Sequence, residues 1–265
     1  MGALHLIPDP LHLRDSLALA EEYGARFEYN DFFAPALLDD ADACAARVRL
    51  YRALERDRSG DTLHGAFYDV TVHSDDPQIR RVSEERVLQS LSIARALGVR
   101  GAVFHSGTIP NFSSEVYESA WLQRNAAFWR RAAEAYPELE ILVENMFDMR
   151  PDLLLALADE LDDLPRFGIC LDWSHAAIFG GAGSAERWAA QLAPHIRHLH
   201  INDHDGRQDL HEAVGRGVTD WTVYDRAARE LPNEPSVLVE VAAPEGQRAS
   251  LEFMKDKRLY PFDRS

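Results

Sequence analysis

Eight short apolar runs, separated by longer amphipathic stretches, constrain this chain more than any other feature. They are Ala3 to Ile7, Ala25 to Tyr29, Thr62 to Ala66, Gly101 to Phe104, Glu140 to Val143, Phe167 to Leu171, Ile196 to Ile201 and Ser236 to Val241. Val, Ile, Leu and Phe occupy both faces of these runs, as in parallel strands covered by helices. Helix starts stand between them: Asp76-Pro77 before Ile79, Val82, Val87 and Leu91, Pro151-Asp152 before Leu153 to Leu161, and Ser184 before Trp188 and Leu192. Eight strand-then-helix units in 265 residues give about 33 residues each, which predicts an α/β fold with one (β/α)8 barrel over residues 1–265. A doubly wound open sheet would usually carry a glycine-rich loop after its first strand, and Pro8-Asp9-Pro10-Leu11 stands there instead.

Charge and rare residues narrow the chemistry. Lys and Arg number 28 against 44 Asp and Glu, a net charge of −16 that repels polyanions and argues against a nucleic-acid partner. Lysine occurs only at Lys255 and Lys257, so the body of the fold has no candidate for Schiff-base or lysine acid/base chemistry. Cys44 and Cys170 lie in unlike surroundings and do not form a disulfide framework, which suits a reducing compartment. Neither a basic-then-apolar leader nor a stretch long enough for a bilayer is present, so a cytoplasmic protein without membrane contact is expected. No seam for self-association is legible, and an oligomer remains open.

Six successive apolar runs end in, or just before, a residue able to bind metal: His64, His105, Glu144, Asp172, His200 and Glu240. In a barrel the strand ends converge on one mouth, so these residues would meet in one pocket. Alternation agrees, because Cys170 with Asp172, His198 with His200, and Leu238 with Glu240 share a face. Two short motifs, Asp172-Trp173-Ser174-His175 and Asp209-Leu210-His211, add His175, Asp209 and His211. Four carboxylates and five histidines exceed what one zinc ion needs, so two or three ions could be held. Manganese, cobalt or iron would suit the same oxygen and imidazole set. A single strand-end histidine is more often hydrogen-bonded or solvated than metal-bound. Carboxylates at the ends of apolar strands nevertheless need a cation, and lysine is scarce.

Other positions carry weaker signals. Glu28 is a candidate substrate contact or arginine partner, Phe67 and Tyr68 a candidate aromatic wall, and Trp173 a candidate pocket residue. Trp121, Trp129 and Trp188 fall in helical patterns and are expected in the core. His5, His12, His73, His195, His198 and His204 have no motif around them. Gly180-Gly181-Ala182-Gly183 is expected to form a flexible active-site loop.

The chain resembles the xylose isomerase-like TIM barrels, the superfamily that holds sugar isomerases and epimerases together with the endonuclease IV family. The likeness runs from Glu28 to Glu240. It rests on His64-Gly65-Ala66-Phe67, Phe104-His105-Ser106-Gly107, Val143-Glu144-Asn145, Leu171-Asp172-Trp173-Ser174-His175, and His200 through Asp203, Asp209 and His211 to Gly217, Asp220 and Trp221. In the epimerase branch, the resemblance implies that Glu144, Asp172, His200 and Glu240 hold one divalent ion, with Glu144 and Glu240 also acting as acid and base. In the endonuclease IV branch it implies a three-zinc cluster on all nine positions. The connection from His200 to Asp209 is shorter than in endonuclease IV, and Asp31, Asp39, Asp40, Asp69, Asp75 and Asp76 give the neighbouring loops the wrong sign for a DNA backbone. The active-site lysine of xylose isomerase has no counterpart here.

The leading expectation is a divalent-metal-dependent isomerase or epimerase for a sugar or polyol, phosphorylated or not, moving a proton at carbon through an enediolate. The ion would be Mn, Co, Mg or Zn, and His175 and Trp173 would position hydroxyls. The alternatives are an endonuclease IV-like zinc phosphodiesterase acting on abasic DNA, with up to three zinc ions, and a barrel that binds sugar or metal without turnover.

Overall fold

In the computed structural model, which describes residues 2–263, eight parallel strands follow one another round a closed barrel, β1 to β8 and back to β1. The strands are β1 (Leu4–Leu6), β2 (Arg26–Tyr29), β3 (Thr62–His64), β4 (Gly101–His105), β5 (Glu140–Glu144), β6 (Phe167–Asp172), β7 (Ile196–Ile201) and β8 (Ser236–Val239). Three of them run one residue past the apolar stretch, to His105, Glu144 and Asp172, because the ionisable residue stays in the ladder. His105 pairs with Glu144 and Asp172 with His200. The first, second, third and eighth strands are shorter than expected. After His64 the amide of Gly65 still bonds the Val103 carbonyl at 2.9 Å, while that of Ala66 turns to Ser90 Oγ at 3.0 Å. Glu240 lies just past β8, its amide donating to the Ile201 carbonyl at 2.8 Å.

Among the described residues, ten helices cover the strands: α1 (Leu13–Tyr23), α2 (Pro35–Asp39), α3 (Ala41–Arg52), α4 (Pro77–Leu97), α5 (Glu115–Ala135), α6 (Asp152–Glu160), α7 (Trp173–Gly180), α8 (Ser184–Leu192), α9 (Trp221–Glu230) and α10 (Pro244–Lys257). Asp76 caps α4 through the Gln78 amide at 2.8 Å, with Pro77 as the first helical residue, which needs no amide donor there. The Gly180 to Gly183 stretch is not a long loop. Gly180 ends α7, and Gly183, at φ 69, is the N-cap residue just before α8, so the glycines make a tight joint between two helices. Among the described residues, no helix is long and apolar enough to cross a membrane.

Contacts concentrate in two groups. One comprises the chain through Glu28, Asn145–Pro151 and the chain from Ile169 onward. In it β8 pairs with both β7 and β1, α1 packs on α10, and Trp188 is buried. The other comprises Tyr29–Glu144 and Asp152–Gly168. Here β3, β4 and β5 pair in order, and Phe104 meets Trp129 with ring centroids 5.3 Å apart. Trp121 and Trp129 are both buried, as their helical spacing implies. Cys44 and Cys170 are buried thiols.

Candidate metal centre

The first ligand set is built where α7 begins directly after β6. Asp172 caps the helix, its Oδ1 accepting the His175 amide at 2.6 Å, so the three-residue spacing seen in the sequence is that of an N-cap and the third helical position. The His175 ring donates from Nδ1 to the Asn145 carbonyl at 2.9 Å and turns Nε2 to Asp209 Oδ2 at 3.1 Å. His211 does the same from the other side, with Nδ1 on the Glu240 carbonyl at 3.0 Å and Nε2 on Asp209 Oδ2 at 2.9 Å.

A carbonyl can only accept, so both Nδ1 atoms carry protons and both Nε2 atoms are the ones presented to a cation. Without an ion, the charge on His211 is opposed by burial. The hydrogen bond that His211 donates to Asp209 and the charges of Glu240, Asp209 and Asp172 outweigh that and push its pKa up to about 9. Burial likewise opposes ionisation of Asp209, and the two imidazoles overcome it, holding the carboxyl well below the usual range. His211 sits at φ 50, a left-handed conformation that costs a non-glycine residue about 1–2 kcal/mol.

Asp203 holds the loop that carries Asp209 and His211. Its carboxylate accepts from the amides of His204, Gly215 and Thr219 and from Trp221 Nε1, at 3.0 to 3.1 Å. Gly217 passes so close that a Cβ there would lie 2.2 Å from the His204 carbonyl oxygen.

The second set is deeper. Asp172 and His200 are wholly buried and Glu240 is 5% exposed. His200 Nδ1 lies 3.4 Å from Glu240 Oε2, while its Nε2 lies 3.1 Å from Glu28 Oε1. Asn145 splints this strand end, accepting the Asp172 amide at 2.9 Å and donating to its carbonyl at 3.0 Å.

The third set belongs to the other contact group. His64 donates from Nδ1 to the Gly65 carbonyl at 3.1 Å, which leaves Nε2 facing Glu144 Oε2 at 3.4 Å. His105 Nε2 lies 3.6 Å from the same oxygen. Phe67 stacks on His105 at 4.9 Å and meets His64 edge-on at 5.3 Å, so it buttresses both imidazoles.

Within each set one ligand atom per residue lies within 4.8 Å of the others, close enough for a divalent ion with bonds of about 2.0–2.2 Å. The donors are imidazole nitrogens and carboxylate oxygens, and His64, His175 and His211 already commit Nδ1 to a main-chain carbonyl, the arrangement that metal-binding histidines adopt. These side chains therefore fit the ions implied by the sequence.

The weaker candidates take other places. Glu28 meets two histidines, His198 and His200. Burial opposes its charge, but His200 and His198 hold its pKa well below the ordinary value. Trp173 is only 4% exposed, packs edge-on against Tyr224 at 5.4 Å, and lines a cavity with Ala177, Gly181 and His204. Tyr68 is 56% exposed and meets Phe33 and Phe67. The acidic loops are less repulsive than their sequence implies. Asp31 pairs with Arg47, Asp39 with Arg86 and Asp75 with Arg124, while Asp40 and Asp76 cap helices. The sequence pattern did not single out Asn145, and it gave His198 no role. For His198 the signal was the shared face with His200.

A model of the xylose isomerase-like TIM barrel family matches residues 17–257, and the chain belongs to that family. A curated relative from Halorhodospira halophila, named a probable endonuclease 4, is 25% identical over 74% of this chain and 73% of its own length. The curated relatives are matched over 60 to 73% of their lengths. Among solved structures, a Thermus thermophilus protein soaked with ZnCl2 is 27% identical with a TM-score of 0.73, and 100% of each chain is covered. A D-tagatose 3-epimerase-like protein is 21% identical with a TM-score of 0.74, over 95% of this chain and 96% of that one.

Proposed function

We propose that this chain is a metal-dependent enzyme that hydrolyses a phosphate ester of a sugar with divalent ions held by its three ligand sets. The observation that carries the proposal is the number of sets. Moving a proton at carbon needs one ion, whereas the sets around His64 and around Asp209 would then have no task. Divalent ions bound at such a centre supply Lewis acidity toward a phosphoryl oxygen and lower the pKa of a water.

The chain's own groups do the rest. Asp209 shares one oxygen between His175 and His211, which keeps that set together on the solvent side. Phe67 and Tyr68 offer an apolar face to the C–H face of a sugar ring. The curated endonuclease 4 relatives and the zinc soak of the Thermus protein support this direction.

A second reading, the sugar or polyol isomerase, is favoured by the net charge of −16, which disfavours long polyanions, and by two glutamates at separate strand ends that could act as acid and base. One experiment divides them. The metal-loaded protein is given small sugar phosphates, a phosphodiester and an abasic-site oligonucleotide, and in parallel ketoses and aldoses in D2O. Ester cleavage that disappears in Asp209→Asn is expected. Deuterium beside a carbonyl, with every ester intact, would establish the isomerase instead.

A further inference from the structure

Behind the metal-facing side of His200 lies a buried polar chain that the ligand sets do not use. Glu28, His198 and His200 are each 0% exposed, and Ser236 is 3% exposed. Glu28 Oε1 is 3.1 Å from His200 Nε2 and Glu28 Oε2 is 3.2 Å from His198 Nε2, so one carboxylate spans two imidazoles two residues apart on β7. On the far side of His198, Nδ1 is 2.6 Å from Ser236 Oγ, and the two residues are register partners across β7 and β8.

The protons in this chain can be assigned from donor and acceptor capacity. An ionised carboxylate only accepts, so each imidazole presents an Nε2–H to Glu28. The neutral His198 then has a lone pair at Nδ1, which the Ser236 hydroxyl fills. With Nε2–H on Glu28, a neutral His200 has its lone pair at Nδ1, on the side of Glu240, 3.4 Å away. Two acceptors that face each other at that distance need a cation between them, a proton in the metal-free protein or a metal ion when one is bound. Cys170 also lies within reach of His198 and His200. Glu28 nonetheless occupies the Nε2 side of both rings, so that cluster supports His200 and is not a fourth ion site.

The geometry points to Glu28, braced by His198 and Ser236, as a positioning residue that fixes the tautomer and ring plane of His200 so that Nδ1 faces the metal. This rests on the proposed metal centre. Metal-bound histidines are commonly held this way, and loss of the outer partner weakens metal binding by about 10- to 100-fold. A glutamine at position 28 is a discriminating replacement. Its amide oxygen can still accept from His200 while its NH2 faces His198, provided that His198 moves its proton to Nδ1 and Ser236 becomes the acceptor. A leucine can do neither.

The test uses the full chain with 15N-labelled histidine, zinc as the probe, and two readouts: zinc affinity by competition with a chelator, and the protonated ring nitrogen of His200 by long-range 1H–15N correlation. In the wild type His200 should carry its proton on Nε2. Zinc binding should weaken by about 10- to 100-fold in Glu28→Leu and by clearly less in Glu28→Gln. A His200 protonated on Nδ1 in the wild type overturns the inference without any variant, even if Glu28→Leu fails to fold. Zinc affinity in Glu28→Leu within about twofold of wild type, against the expected loss, overturns it as well. A wild type that shows the Nε2–H tautomer but takes up no zinc at His200 supports the Glu28 contact and overturns the metal centre itself.

Discussion

His211 donates from Nδ1 to the main-chain carbonyl of Glu240 at 3.0 Å, tying a loop imidazole to the end of β8. One hydrogen bond thus sets which nitrogen His211 offers to Asp209, and it couples the outer ligand set to the deeper one. The consequences can be measured.

In metal-free protein the His211 pKa is raised from 6.5 to about 9, chiefly by Asp209 and the nearby carboxylates acting against burial. A raised folded-state pKa contributes stability that is fully present below about 6.5 and is lost as pH rises through about 9. Thermal melts of chelator-treated wild type and His211→Gln should therefore differ most near pH 6 and converge above about pH 9. A gap that does not change across this range would dissociate His211 from the Asp209 ion pair.

Metal must displace the protons that these imidazoles carry. Zinc uptake should release protons and tighten as pH rises from about 6 to 9. Calorimetry in buffers of different ionisation enthalpy counts those protons, and a count of zero would place the ion elsewhere.

Asn145→Ala removes two hydrogen bonds to the Asp172 main chain and leaves both groups buried. A loss of about 1–3 kcal/mol in urea unfolding is expected. Stability equal to wild type would mean that the strand end is not held by this side chain.

Gly217→Ala forces a Cβ against the His204 carbonyl, where only 2.2 Å is open. The loop from Asp203 should shift, lowering stability by about 1–3 kcal/mol and weakening the ion between His175, Asp209 and His211 ahead of the deeper ones. Faster proteolysis between Asp203 and Asp220 would report the shift, and unaltered cleavage would show that the loop absorbs the methyl group.

How much of this was readable in advance depends on the distance over which each feature is encoded. Strand ends were readable because an apolar run that stops at an ionisable residue is a local pattern, and His105, Glu144 and Asp172 close their strands as that pattern implies. The Asp76-Pro77 start of α4 is likewise local. The partners of Glu28 were not readable, since they lie more than a hundred residues away on β7 and no spacing rule joins them. The partners of the acidic loops were not readable for the same reason, because Arg86 and Arg124, which pair with Asp39 and Asp75, sit on later helices. Trp173 was placed by the abrupt start of α7 after Asp172, a turn that sends the indole toward Tyr224.

The most direct test is the metal content of the protein after gentle purification, by native mass spectrometry and elemental analysis of the same sample. Three ligand sets call for about three divalent ions per chain. Asp209→Asn should lose one ion, and Glu144→Gln should lose the ion of the His64 and His105 set. About one ion per chain, retained in Asp209→Asn and lost only with Asp172, His200 or Glu240, would contradict three occupied sets and leave the isomerase as the better description.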